Sequence, residues 1–382
     1  MSASPGTRFT PAEATAVLTV GVVGVLVAGL QPQLLGALAH EGRLSASALG
    51  EVATAELLAM GIAAAGAGLI VPSHRLRVTA ALALIAMAAL DFATGRAAGL
   101  GILALRAGAG LAEGVLVWIA IGMIVRTAHP ARWSGIYLMV QTGAQLALAT
   151  VFGLWLVPAV GSAGGFASLG VASLAALLAL TWLPRHYAPA ANPGATGVPP
   201  SRGWVALGSV ALWLAFVVAV WVYVEPLGMQ HGLTHEAVAI VAPLSLAMQM
   251  VGAGAAALLA GRVAALPVLF VAAAANLALL ALMGAPPSAA AFIAATSAFG
   301  FLWLFAMPFQ LPVLIAADPS RRAAELVGGA QLAGASLGPF LAAKLVSDAN
   351  VGGVLWFGAG ALALALVLTV CAVAGRQALT IR

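Results

Sequence analysis

Residues 185–202 read RHYAPAANPGATGVPPSR. Its prolines remove backbone donors and its glycines loosen the chain, so no helix runs through it. The arginines at its ends, Arg185 and Arg202, belong in water. On either side the sequence is a succession of long apolar segments broken by short groups of Gly, Pro and charge. The stretch therefore reads as a linker between two halves, residues 1–184 and 203–382. Six helices are predicted in each half, at about 14–39, 46–70, 76–95, 97–125, 132–158 and 162–184, then 203–228, 235–260, 263–283, 288–315, 322–348 and 351–376.

Composition says what surrounds these helices. Of 382 residues 63% are hydrophobic and 7% charged, whereas a soluble domain carries about a quarter charged residues. Such a chain cannot cover a water-facing surface. Disorder requires the opposite composition, and no fibre repeat is present. The bilayer remains. A spanning helix takes about 20 apolar residues, and twelve with short loops use nearly the whole length. The fold class expected is an all-α polytopic membrane protein of twelve transmembrane helices. No room is left for a soluble catalytic domain.

The net charge of +5 reflects topology rather than nucleic acid. With the N-terminus in the cytoplasm, twelve arginines fall on that side, Arg43 and Arg96 on the other, and Arg106 and Lys344 inside helices. Basic residues concentrate on the cytoplasmic face, so both termini are expected there, in a bacterial inner membrane. The first apolar segment is too long for a signal-peptide core and reads as a retained helix. The single Cys371 permits neither an internal disulfide nor a cysteine metal site. No metal site or cofactor is expected, and the partners expected are lipid, a small solute and protons, with the protein a monomer.

The halves resemble each other. Gly143-Ala-Gln-Leu-Ala-Leu-Ala-Thr150 in helix 5 is similar to Gly329-Ala-Gln-Leu-Ala-Gly-Ala-Ser336 in helix 11, at an offset of 186, and Gly114 and Gly300 share that offset. Parallel six-helix repeats are one way transporters are built.

With these features the chain resembles the major facilitator superfamily over essentially its full length. Arg106-Ala-Gly-Ala-Gly110-Leu-Ala-Glu-Gly114 resembles that family's arginine followed by glycines at four-residue spacing. The loop Gly68-Leu-Ile-Val-Pro-Ser-His-Arg75-Leu-Arg77 is similar to its first-loop signature, keeping the glycine and arginines but lacking the aspartate. Helix 5 lacks the Gly-Pro pair of the antiporter branch, of which Gly338-Pro339 in helix 11 is the nearest echo. The resemblance implies two pseudo-symmetric six-helix bundles around a central cavity, alternating access, and a gating loop at Arg75 and Arg77. It also implies that helices 1, 4, 7 and 10 line the cavity, which makes Gln31, Gln33, Trp118, Tyr223 and Trp303 substrate-binding candidates.

Ionisable groups inside a bilayer are costly and are functional candidates by default. Glu56 in helix 2 and Arg106 in helix 4 lie at similar depth, so an ion pair is geometrically possible. Glu113 is two turns beyond Arg106, about 10 Å along the axis, too far unless a side chain bends or water bridges. One guanidinium against two carboxylates leaves one negative charge, so a proton, water or cation must balance it. Glu56, Arg106 and Glu113 are the expected proton-coupling cluster; the bland reading is a fixed ion pair that locks the bundle. Asp91 and Lys344, near outer helix ends, are expected to be solvated or to snorkel. Glu225-Pro226 ends an aromatic stretch of helix 7, where the proline is expected to break the helix, and Glu225 is a mouth candidate.

Buried amides need partners. Gln141 and Gln145 share a face of helix 5, and Gln331 is the repeat mate of Gln145. They either contact a polar solute or bond across helices. Gln310 follows Trp303 in a stretch that Pro308 is expected to interrupt. No phosphate-binding loop or zinc-protease motif is present, and no enzyme is expected. The expected function is secondary active transport of a small organic solute, proton-coupled. The alternative is a transporter-like scaffold or sensor that does not transport.

Overall fold

The structure is a computed structural model that describes residues 9–71, 75–127, 130–187, 198–259, 262–319 and 322–374. Residues 72–74 of the loop after helix 2, 188–197 of the linker, and Arg8, Arg321, Arg376 and Arg382 lie outside the described residues.

The chain is a multi-pass, all-helical membrane protein. Its helices are α1 (Pro11–His40), α2 (Ala46–Ile70), α3 (Leu76–Thr94), α4 (Leu100–Ile124), α5 (Pro130–Val151) and α6 (Val157–Ala176). After the linker come α7 (Ser201–Gln230), α8 (Val241–Leu259), α9 (Ala265–Gly284), α10 (Ala289–Ala317), α11 (Val327–Ala343) and α12 (Gly353–Val373). Ten described segments are long and apolar enough to cross a bilayer. One of them, Trp133–Thr181, has 49 residues, long enough for two crossings, and bends at Gly161, whose φ of 67° belongs to the left-handed region glycine tolerates. The shorter α11, with 17 residues, follows a single turn at Arg322–Glu325.

Local chemistry explains several boundaries. Thr10 and Glu13 cap the start of α1 reciprocally: Glu13 N donates to Thr10 Oγ1 at 3.2 Å, and Thr10 N donates to Glu13 Oε2 at 2.9 Å. Within α1 the backbone leaves helical geometry at Val25 (φ −127°, ψ 6°). The carbonyl freed there accepts from Gln145 Nε2 of α5 at 2.7 Å, and the Gly21 carbonyl accepts from Tyr137 Oη at 3.0 Å. Where α6 begins again after Gly161, Ser162 N donates to Glu41 Oε1 at 2.6 Å. Arg43 ties the same corner together, donating to Ser162 Oγ at 2.9 Å and to the Thr94 carbonyl at 2.8 Å.

Two prolines act differently from expectation. α7 runs unbroken through Pro226, and α10 runs unbroken through Pro308 and Pro312. Each proline removes one N–H, which a helix embedded among neighbours tolerates.

Contacts divide the chain into two compact units. The first is Met1–Arg43 with Ala55–Pro193, and the second is Leu44–Thr54 with Gly194–Arg382. In the first, α3 packs on α4 and α6, and α1 on α4, α5 and α6. In the second, α7 packs on α11 and α12, and α8 and α9 pack on α10. Small residues permit the closest approaches. A Cβ on Gly110 would meet the Glu56 carbonyl of α2, and one on Gly114 would meet that of Met60. In the second unit Gly300 meets the Ser245 carbonyl and Gly334 that of Ala211.

Candidate functional site

The glycine contacts of α4 bring Arg106, on the same four-residue stripe, against α2 at Glu56. Arg106 Nε donates to Glu56 Oε1 at 2.9 Å, and its Nη2 also donates to that oxygen. Nη1 donates to Asp91 Oδ1 of α3 at 2.6 Å. Nη2 reaches Glu113 Oε1 at 3.0 Å. The guanidinium carbon stands 5.3 Å from the centre of the Phe166 ring of α6, in cation–π range. All four charged side chains are at most 3% exposed.

Asp91 corrects an expectation. It is buried and paired, not solvated. α3 ends at Thr94 and α4 begins at Leu100, so Asp91 and Arg106 both sit near the same ends of adjacent helices, within reach of the long guanidinium arm. Glu113 makes the direct contact that backbone spacing alone disfavours, because both side chains lean along the helix toward each other.

The site therefore holds one guanidinium and three carboxylates. Glu56 Oε2 and Glu113 Oε2 are buried and have no hydrogen-bond partner among the described residues. A cavity of about 10 Å³ adjoins Asp91, Glu113, Leu169 and Ser173, room for about one water. Removing unbalanced charge from water costs several kcal/mol per ion, at order-of-magnitude level, so this ring calls for protons on its surplus carboxyls or for another cation.

Among the described residues the second unit shows no such cluster. At the repeat offset, Glu56, Asp91, Arg106 and Glu113 correspond to Ala242, Leu277, Phe292 and Phe299. The register is supported by Gly114 and Gly300, each of which packs against a carbonyl of the helix two before its own.

The other candidates separate into those already engaged and those with polar atoms to spare. Gln145 is engaged by the α1 break. Gln33 Nε2 donates to the Ala149 carbonyl at 2.9 Å, while its Oε1 has no partner among the described residues. Gln31 is buried with Nε2 unpartnered, and Gln310 is buried with Oε1 unpartnered. Trp118, Gln141 and Gln331 are half-buried. Tyr223 Oη accepts from Gly50 N at 3.0 Å. Trp303 is half-buried with its ring edge-on to Trp221 at 5.9 Å, and Glu225 is half-buried one turn short of the α7 terminus. Arg75 is exposed just before α3, and Arg77 Nε donates to the Leu183 carbonyl at 2.6 Å. Sequence reasoning missed Phe166 and Gln249; the latter is buried on α8 with Nε2 unpartnered. An amide in an apolar helix was the available signal for Gln249, and none marked Phe166.

No family model and no curated protein sequence matches the chain. Solved structures do. The nucleoside transporter NupG, as its D323A mutant, superposes with a TM-score of 0.77 at 11% identity, covering 94% of this chain and 99% of that one. The D-xylose-proton symporter gives 0.68 at 14% identity, covering 94% and 95%. A bacterial homologue of the human lysosomal transporter Spinster, inward-facing and unoccupied, gives 0.63 at 17% identity, covering 96% and 95%. The chain has the fold of these transporters, the major facilitator fold.

Proposed function

We propose that the chain is a secondary active transporter that moves a small organic solute by alternating access, coupled to protons, and that it is not an enzyme. The observation that carries the reading is the Arg106 ring: three carboxylates around one guanidinium, buried in a chain with a transporter fold. Ionisable groups at such depth are rarely retained without a role. Glu56, Asp91 and Glu113 hold the exchangeable protons, and Arg106 keeps them clustered. That the repeat-offset positions of the second unit are Ala242, Leu277, Phe292 and Phe299 supports assigning ion coupling to the first.

The solute class proposed is an uncharged, hydrogen-bonding organic molecule. The nucleoside and D-xylose named for two structural neighbours are both of this kind. Gln31 in the first unit, and Gln249 and Gln310 in the second, each have an amide hydrogen bond to offer, and the half-buried Trp303 of the second provides flat apolar surface. The location proposed is a bacterial inner membrane, with both termini cytoplasmic as the arginine distribution favours. The protein works as a monomer, and no nucleic acid is involved.

The test is uptake into proteoliposomes with and without an imposed pH gradient, for the wild type and for Glu56→Gln, Asp91→Asn and Glu113→Gln. Loss of gradient-driven accumulation with retained exchange supports coupling. Unchanged uphill transport and unchanged pH dependence in all three overturn it. A second reading, a fixed lock between α2, α3 and α4, is favoured by how completely the ring is sealed. It expects the same substitutions to lower stability and leave coupling intact.

A further inference from the structure

We propose that the groove between the first half of α1 and the end of α6 seats one acyl chain of an anionic phospholipid, whose headgroup is held by Arg77 and Arg185. The groove has a volume of about 660 Å³, with Ala12, Thr15 and Thr19 on one side and Ala172, Ala175 and Ala179 on the other. Leu178 and Trp182 form its outer lip and are 73% and 58% exposed. It is apolar, and it opens sideways in a segment long enough to cross the membrane.

Its dimensions choose the occupant. It runs from Pro11 to Val23, about 18 Å at 1.5 Å per residue. That is close to one leaflet, half of a hydrocarbon core ~30 Å thick. Volume over length gives a mean cross-section of ~37 Å², room for an extended hydrocarbon chain.

Charge at its mouth chooses the headgroup. Trp182 marks the end of the groove, and the chain beyond it is fastened to the start of α3. Arg77 Nε donates to the Leu183 carbonyl at 2.6 Å, and Leu76 N donates to the Arg185 carbonyl at 3.3 Å. Arg126 lies 5.1 Å from the centre of the Tyr187 ring, and that ring meets Phe9 edge-on at 6.1 Å, just before α1. Four arginines, at 75, 77, 126 and 185, thus gather at one end of the groove. The carboxylate nearest in sequence, Glu13, is engaged by Thr10. Arg75, Arg77 and Arg185 have no carboxylate partner among the described residues. This end lies on the arginine-rich side of the membrane, where anionic lipid attracts basic residues. The inference stands whether or not the chain moves a solute.

The experiment uses the full chain in nanodiscs of equal phosphatidylglycerol and phosphatidylcholine, with bound lipid counted by native mass spectrometry and melting temperature as the folding control. The wild type should retain phosphatidylglycerol preferentially, by about fivefold for each contributing arginine, from ~1 kcal/mol per basic residue at an anionic surface. Arg77→Gln with Arg185→Gln should abolish the preference while lipid stays bound. Ala175→Trp, at an exposed position, should expel both lipids, and Ala172→Phe should repeat the effect if the first variant melts early. Equal retention of the two lipids by the wild type, lipid retained by both groove-filling variants, or a lipid-free dimer covering the groove would each overturn the proposal.

Discussion

Arg106 Nη2 lies 3.0 Å from Glu113 Oε1, although the two residues are seven apart on one helix. The contact exists because the guanidinium is shared. Nε goes to Glu56 and Nη1 to Asp91, while Nη2 is divided between Glu56 and Glu113, reaching along α4 to the latter. Removing the cation should therefore cost more than removing any one anion. Arg106→Met should lower stability by about 3–5 kcal/mol, the usual consequence of orphaning buried charge. Adding Glu56→Gln, Asp91→Asn and Glu113→Gln to Arg106→Met should restore most of it. Melting temperatures of the single, triple and quadruple variants check this; a quadruple variant no more stable than Arg106→Met refutes it.

Close helix approach makes a second expectation sharp. Gly110→Ala drives a methyl group into the Glu56 backbone carbonyl, while Gly254→Ala on α8 meets open space. The first should destabilise by about 1–3 kcal/mol through overpacking. The second should be neutral or stabilising by up to about 1 kcal/mol, since alanine favours the helix. Thermal melts of the two variants in the same detergent separate them.

Acid should loosen the corner around Gly161. Burial alone would raise the Glu41 carboxyl above its ordinary value of 4.5, but the Ser162 hydroxyl and N–H together with Arg43 outweigh burial and hold it lower. The unfolded carboxyl then takes its proton first as pH falls. The stabilisation is complete above 4.5 and is lost as pH drops through the lower folded value. The melting-temperature difference between wild type and Glu41→Gln should be present at neutral pH and shrink toward zero in strong acid; a gap independent of pH contradicts the assignment.

The first turns of α2 belong with the second unit. Glu51 Oε1 accepts from Lys344 Nζ at 2.8 Å, Thr54 Oγ1 donates to the Ser336 carbonyl at 2.6 Å, and Ala46 N donates to Asp348 Oδ1 at 2.5 Å. The remainder of α2, from Ala55, belongs with the first. If transport needs this attachment to release, a disulfide between Glu51→Cys and Lys344→Cys, in a background lacking Cys371, should block uptake under oxidation. Reduction should restore it, and uptake unaffected by cross-linking would show that the attachment persists through the cycle.

The membrane-spanning pattern was legible because twenty-residue apolar runs have few other uses. So was the meeting of Glu56 with Arg106, since both were placed at similar depth along helices of the same direction. Asp91 was misread because distance from a helix end was taken as exposure. A residue one turn from the end of α3 is still covered when a neighbouring helix starts beside it. The glutamine on α5 was ambiguous because nothing in Gly24-Val25 announces a break, and Gln145 finds its partner only there. Pro226 and Pro308 looked like breaks because each removes a backbone donor, a loss that α7 and α10 absorb without interruption.

The void beside Glu113 has a further consequence. At about 10 Å³ it has room for about one water, too little for a file along which hydrogen ions could hop through that void. Were the ring to store protons, as proposed, such tightness would keep the store from draining across the membrane.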